Sequence, residues 1–225
     1  VFGPVICQSF GQAEAPMFIT FLSTQDLQTS PPENWPGLWA SCGRATLGQR
    51  AEIMADNGRI LPNGERGEIV VRGDLVFPGY FQNPTATAEV SEHGWHHTGD
   101  IGYKDKAGFI YIVDRKKDMI VTGGFNVFSA EVEQVISGHP DVEDCAVVAV
   151  PDAKWGEAVK AVVQLKPGRT LDQAELIALV RSTLGSVHAP KTVDFVDQLP
   201  RSSNGKVLKR DVRQAYWIGS DRQVG

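Results

Sequence analysis

Apolar positions in the first half of this chain come in short bursts broken by glycine and proline. In the second half they settle into longer alternating and helical patterns. Up to residue 113 the bursts read as short strands. Gly67-Glu68-Ile69-Val70-Val71-Arg72-Gly73 is a strand between turn signals, with Leu61-Pro62-Asn63-Gly64 as the turn before it. Ser30 to Gly37 reads as a loop, because its X-Pro bonds and its glycine resist helix. Helical periodicity is scarce here, which predicts a small β-barrel or sandwich.

After Asp114 the pattern changes. Met119-Ile120-Val121 and Asn126-Val127-Phe128 flank Thr122-Gly123-Gly124, the signature of a hairpin. Ser129 is placed to cap a helix with Val132, Val135 and Ile136 on one face and Glu131 and Glu133 near its positive end. Val142 to Val150 and Val159 to Leu165 are apolar enough for buried strands. Thr170 with Gln173 has the spacing of a capping box ahead of Leu176, Ile177, Leu179 and Val180. Thr192 to Val196 predicts another strand and Leu208 to Trp217 a last helix. The alternation of strand and helix beyond residue 118 implies a compact α+β domain of ~105 residues.

Composition narrows the function classes. The chain has 225 residues, 42% of them hydrophobic, enough to build one or two cored domains. With 22 Lys and Arg against 27 Asp and Glu, the net charge of -5 argues against nucleic acid as a partner. Cys7, Cys42 and Cys145 show no CxxC spacing, so a reducing cytoplasm is expected. No apolar run reaches the roughly 20 residues of a transmembrane helix. The start, Val1-Phe2-Gly3-Pro4-Val5-Ile6-Cys7, lacks the basic region and cleavage site of a signal peptide and reads as an internal strand of a longer protein.

Three polar clusters carry the candidate chemistry: Trp95-His96-His97-Thr98-Gly99-Asp100; Asp114-Arg115-Lys116-Lys117-Asp118 running into Thr122 to Asn126; and Pro200 to Lys206. Carboxylates accept from ribose hydroxyls, Lys and Arg offset developing negative charge, and glycine lets backbone N–H groups come close, so together they suit an anionic nucleotide. Singly each has a plainer explanation, since an Asp beside Gly usually forms a turn and a Lys-Lys run is usually a solvated face. His93, His96 and His97 lack a neighbouring Cys or acidic ligand at helical spacing, which speaks against a metal centre. Gly205-Lys206 is no P-loop, because Pro200 stands where the first glycine is needed.

Order and spacing raise the specificity. Phe10-Gly11-Gln12-Ala13-Glu14 resembles the Tyr-Gly-x-Thr-Glu segment of the adenylate-forming superfamily. Gly67-Glu68-Ile69 with Gly79-Tyr80 is similar to that family's Gly-Glu-Ile strand and downstream Gly-Tyr. Trp95 to Asp100 resembles its Trp-x-x-Thr-Gly-Asp motif, Asp114 to Asp118 its hinge, and Asn204-Gly205-Lys206 its terminal Asn-Gly-Lys. The run Thr122 to Phe128 followed by Ala130-Glu131-Val132-Glu133 looks most like fatty- and aryl-acid CoA ligases.

The resemblance implies an α+β fold. Residues 1–114 would be the β-rich, barrel-like C-terminal part of a large AMP-binding domain, and residues 115–225 a small mobile lid. It implies ATP-dependent activation of a carboxylic acid to an acyl-adenylate, then acyl transfer to CoA. Asp100 would hold the ribose hydroxyls of ATP or AMP with help from Arg115. Phe10 would stack on adenine within the nucleotide segment Phe10, Gly11, Gln12 and Ala13, and Glu14 would help hold Mg²⁺. Lys206 would be the catalytic lysine and Lys117 the hinge. Gly123, Gly124 and Asn126 would line the CoA path, with Lys154-Trp155-Gly156-Glu157 as further contacts, although Trp155 reads equally as packing. Two departures stand out. Phe10 lacks the phenol of the usual Tyr, and Ala13 lacks the usual Thr hydroxyl, a loss of about 1 to 3 kcal/mol if that oxygen bonds phosphate.

Nothing before Phe10 supplies the family's phosphate loop, so the 225-residue chain alone is expected to adenylate nothing. The alternatives are a non-catalytic nucleotide- or partner-binding domain and a peptide-synthetase adenylation domain. Homo-oligomer formation and the identity of the acid are left open.

Overall fold

The computed structural model describes residues 5–30 and 35–218, with the side chains of residues 35 and 36 left aside. Val1 to Pro4 of the opening stretch, Pro31 to Asn34 of the predicted loop, and the C-terminal Arg222 to Gly225 lie outside the described residues. The chain forms two compact units, Val1–Lys116 and Lys117–Gly225.

The first unit is built on antiparallel sheets. β1 (Gln8–Phe10), β2 (Thr20–Leu22) and β3 (Arg44–Ala45) form one, in that order. The other contains β4 (Gln49–Met54), β5 (Gly67–Gly73), β6 (Ser91–Glu92), β7 (Trp95–Lys104) and β8 (Ile110–Arg115), ordered β4-β5-β7-β6 with β8 also on β7. Ile53, Ile69, Val71 and Ile110 are fully buried at its core. Three short helices accompany the sheets: α1 (Thr24–Gln28), α2 (Trp35–Trp39) and α3 (Pro84–Glu89). Ser23 and Asp26 form a capping box on α1, and Asn83 caps α3 with Pro84 in its first turn.

In β7 the pairing with β5 slips. Glu68 faces Ile101 while Val70 faces His97, so Thr98-Gly99-Asp100 sits in a bulge. Gly99 takes φ +71°, which an L side chain rarely adopts. Thr98 fastens the bulge, its hydroxyl donating to the Ile69 carbonyl at 2.7 Å and accepting from the Asp100 N–H at 3.1 Å.

The second unit is an α+β layer structure. β9 (Ile120–Thr122) and β10 (Phe125–Val127) form a hairpin in which Thr122 faces Phe125 across the two-residue turn Gly123-Gly124, with φ +58° and +83°. Two consecutive positive φ values are what a primed turn demands. The chain continues through α4 (Ser129–Ser137), β11 (Val142–Asp152), β12 (Gly156–Leu165), α5 (Gln173–Leu184), β13 (Thr192–Val196) and α6 (Lys209–Gln214). Sheet order is β10-β9-β12-β11, with β13 parallel on β12. Cys145, Val147 and Ala149 of β11 face the core shared with α4 and α5, whereas Ala146 and Val148 face Leu199 and Val212 of α6. Both faces of this sheet are covered, which explains why β11 reads as a continuous apolar run rather than an alternation.

Three helix starts differ from the sequence expectation, the first being α2, which begins at Trp35 inside the stretch read as a loop. Ser129 does not cap α4; Phe128 holds the N-cap position, and Ser129 is the first helical residue, buried, with its hydroxyl accepting from Lys209 Nζ at 2.9 Å. At α5 the cap is Asp172, whose carboxylate accepts from the Ala174 N–H at 3.0 Å; Gln173 is already helical. An Asp one residue before the helix outcompetes a Thr further upstream. The last helix is also shorter than expected, ending at Gln214.

A buried charge needs a partner. Lys160, 8% exposed, finds Asp194 at 2.8 Å and Thr192 at 3.1 Å and lies over the Tyr216 ring. Cys42 and Cys145 are buried, one in each unit, and Cys7 is exposed. Burial pushes both buried thiols up, Cys145 to about 12. No helix among the described residues is long and apolar enough to cross a membrane.

Candidate nucleotide and acyl-transfer sites

The first unit has a polar cavity of about 360 Å³ walled by Gly11 to Glu14 on one side and His96 to Thr98 on the other, with Tyr80 and Arg115 at its edge. The β7 bulge determines what faces it. Asp100, 2% exposed, pairs with Arg115 of β8 across the ladder, its Oδ1 2.7 Å from Arg115 Nε. Gln12 bridges the two walls. Its amide donates to the Thr98 carbonyl at 2.7 Å and to Asp100 Oδ2 at 3.1 Å, and its Oε1 accepts from His96 Nε2 at 3.2 Å. Burial lowers the His96 pKa, which favours the neutral ring.

Glu68 reaches the bulge from behind. Its carboxylate accepts from the Gly99 N–H at 3.0 Å, from His97 Nδ1 at 2.9 Å and from Lys116 Nζ at 2.9 Å. Burial alone would raise this carboxyl, but the bonds from His97 and Lys116 outweigh it and hold the pKa below its ordinary value. Lys116 also pairs with Asp56, at 3.2 Å. Glu68 therefore ties the Gly99-Asp100 turn to the last residue of the first unit.

Glu14 accepts from the Tyr80 hydroxyl at 2.6 Å, and that bond is the main reason its pKa is lowered. Among the described residues no group of three or more His, Cys, Asp and Glu side chains could hold a metal ion. A lone carboxylate still suits Mg²⁺, which keeps waters and is held largely by substrate phosphates. Phe10 rests against the apolar core rather than among the cavity's lining residues. Gly11 is sterically required: a Cβ there would lie 2.7 Å from the Met17 backbone nitrogen. Ala13 is exposed in the cavity wall.

The second unit holds the remaining candidates. Lys117 opens it, and its carbonyl accepts from Arg213 of α6 at 2.8 Å. Lys206 is exposed and directly follows the tight turn Ser203-Asn204-Gly205. The Gly123-Gly124 hairpin borders a cavity of about 250 Å³ whose walls include Thr122, Phe125, Trp155, Val187 and Lys191. A Cβ on Gly123 would lie 2.6 Å from Trp155 Cε3. Trp155 is 42% exposed, with the Lys154 and Lys191 ammonium groups over its ring. Asn126 is exposed on β10 and is not among that cavity's lining residues.

Sequence reasoning named Glu68 and Tyr80 only as parts of motifs and assigned them no role. Both lie far in sequence from the groups they hold, Glu68 by 31 residues and Tyr80 by 66. A buried Glu inside an otherwise apolar strand was the available signal for the first.

Two family models match the chain, the AMP-binding enzyme over residues 1–81 and the AMP-binding enzyme C-terminal domain over residues 131–206. A medium/long-chain-fatty-acid–CoA ligase of Mycobacterium tuberculosis (strain ATCC 25618 / H37Rv) is 46% identical, with all of this chain and 39% of the relative covered. A feruloyl-CoA synthase of Amycolatopsis sp is 45% identical over 78% of this chain and 36% of its own length. Among solved structures, ATP-bound MatB from Rhodopseudomonas palustris superposes with a TM-score of 0.82 at 36% identity, covering 94% of this chain and 40% of that one. The amide bond synthetase McbA from Marinactinospora thermotolerans superposes with 0.80 at 40% identity, covering 96% and 43%. The chain thus spans about two-fifths of the length of these relatives.

Proposed function

As a member of the AMP-binding enzyme family, this chain contributes, we propose, the ribose grip and the mobile lid of an ATP-dependent carboxylate–CoA ligase. The first unit is read as the C-terminal part of the large nucleotide-binding domain and the second as the lid, with Lys117 as hinge. The observation that carries this reading is the buried Asp100, held on a bulge by Glu68, Thr98 and Gln12 and paired with Arg115, which lines the polar cavity. A fixed acceptor next to a cation suits a ribose diol beside phosphates.

In the reaction a carboxylate oxygen attacks the α-phosphorus of ATP, the bond from that phosphorus to the β-phosphate oxygen breaks, and pyrophosphate leaves with the electron pair. Lys206 offsets charge on the carboxylate and the α-phosphate as the new bond forms. Mg²⁺, held by Glu14, would neutralise phosphate charge when bound. In the second step a thiol sulfur attacks the acyl carbon, AMP departs with the bonding pair, and the thiol proton goes to solvent. The Gly123-Gly124 turn, free of side chains beside Trp155, leaves room for a thin pantetheine arm. The similarity to an amide bond synthetase supports a second reading, in which an amine replaces the thiol. Acyl transfer measured with CoA and with amines under identical conditions separates the two. Three free thiols support a cytoplasmic location.

Lys206→Ala in the whole enzyme tests the adenylation role. Carboxylate-dependent pyrophosphate exchange should fall about 10²- to 10³-fold; exchange at the wild-type rate would sink the assignment.

A further inference from the structure

We propose that Arg201 is the positioning residue for Lys206, acting through a two-point fork that no single-point cation can reproduce. This rests on the catalytic reading of Lys206 given above.

The turn before Lys206 is closed by hydrogen bonds, with Val207 at its base packed against the apolar core. Arg201 and Val207 form an isolated bridge at its base. The Ser202 N–H donates to the Lys206 carbonyl at 2.8 Å, and the Ser202 hydroxyl accepts from the Lys206 N–H at 3.1 Å. Gly205 takes φ +83°, and a Cβ on it would meet nothing within 4 Å. Arg201 adds a side-chain restraint to the bonds made by Ser202. Its Nη1 donates to the Gly205 carbonyl at 3.0 Å, the peptide immediately before Lys206, and its Nη2 meets Asp144 Oδ2 at 2.5 Å.

Asp144 is itself immobilised. It sits at the register shift of β11, and its Oδ1 accepts from the Cys145 N–H at 2.8 Å. The chain of contacts runs from the central sheet through Asp144 and Arg201 to the peptide that aims Lys206. Lys206 Nζ has no hydrogen bond or ion pair with any other described residue. Its direction is thus set by the backbone that Ser202 and Arg201 hold together. The guanidinium is suited to this task because its planar fork presents two N–H groups at once, one to a carboxylate and one to a carbonyl.

The test compares Arg201→Lys and Arg201→Gln in the whole enzyme, read by carboxylate-dependent pyrophosphate exchange and by thermal melting. A lysine retains the ion pair with Asp144 but loses the second point. Both variants should therefore lose about tenfold in kcat, since small misplacement of a reacting group is costly, while KM for ATP moves less than about twofold. Asp144→Asn should lose part of the same kcat by the independent route of loosening the anchor. On a Lys206→Ala background, Arg201→Lys should cost nothing further, because a positioning residue has nothing left to position.

Wild-type kcat in Arg201→Lys would overturn the proposal, and so would a raised KM with kcat unchanged, which would make Arg201 a nucleotide contact. A drop in melting temperature that accounts for the whole loss, with an additive effect on the Lys206→Ala background, would reduce Arg201 to a structural role and overturn it as well. If Lys206→Ala itself leaves exchange unchanged, the catalytic reading of Lys206 fails first, and that failure is distinct from wild-type behaviour in the Arg201 variants alone.

Discussion

The two units place their polar groups in opposite ways. In the first, charged and polar side chains are drawn inside and paired with one another: Glu68 with His97, Lys116 and Gly99, and Asp100 with Arg115 and Gln12. In the second, apart from the Lys160–Asp194 pair, the sheet core is apolar on both faces, and the candidate chemistry sits on two exposed turns, Gly123-Gly124 and Asn204-Gly205-Lys206. The first unit therefore builds a receptor whose two buried carboxylates, Glu68 and Asp100, are paired with protein groups. The second builds a rigid platform that presents unsatisfied groups. Those two designs suit the proposed roles, a nucleotide receptor and a lid that delivers a lysine and then a glycine hairpin.

The contrast can be broken most sharply at Glu68. Glu68→Ala leaves the Gly99 N–H, His97 and Lys116 without their shared acceptor and should destabilise the first unit by about 3 kcal/mol. Chemical denaturation followed by the Trp95 signal would measure it. The pH dependence has a definite sign. The Glu68 pKa is lowered in the fold, so its contribution is present above its ordinary value of 4.5 and is lost as pH falls below that. His96 acts in the same direction at higher pH, because its folded pKa is lowered, so the unfolded chain takes up the proton first as pH falls through the ordinary value of 6.5. Acid unfolding of the first unit should therefore begin earlier than that of the second, and equal midpoints would contradict the comparison.

A smaller effect is expected on the presenting side. Gly123→Ala puts a methyl group against Trp155 and strains a positive φ, at about 1 to 2 kcal/mol. Acyl transfer from supplied acyl-adenylate should fall more than adenylate formation does. Equal losses in both steps would show that the hairpin is only structural. The smallest effect concerns a helix start away from both sites. Asp172→Ala should cost about 1 kcal/mol, whereas Thr170→Ala should stay within about 0.5 kcal/mol. Urea midpoints for the pair would settle which residue caps α5.

What could be read from the chain follows the same division. The hairpin at Gly123-Gly124, strands β11 and β12, β13 and the amphipathic face of α4 were all legible, because periodicity and positive φ act locally. Ser129 was not legible as a helix-interior residue, since the group that claims its hydroxyl, Lys209, is 80 residues away. α3 could have been found from Asn83-Pro84, a cap followed by a proline, but six residues make too few turns for periodicity to show. In the candidate sites the motif residues were legible by resemblance, while their supports were not. Glu68 and Arg201 each join segments that only the folded sheet brings together, and no spacing along the chain marks such a bond.

The placement of the three thiols has a practical side. An alkylating reagent attacks thiolate that it can reach, so Cys7 is open to modification in the native protein while Cys42 and Cys145 wait on opening of the core around them. Because one buried thiol lies in each unit, their alkylation rates are two separate clocks. One times the breathing of the receptor and the other times that of the platform, within a single molecule and without any added label.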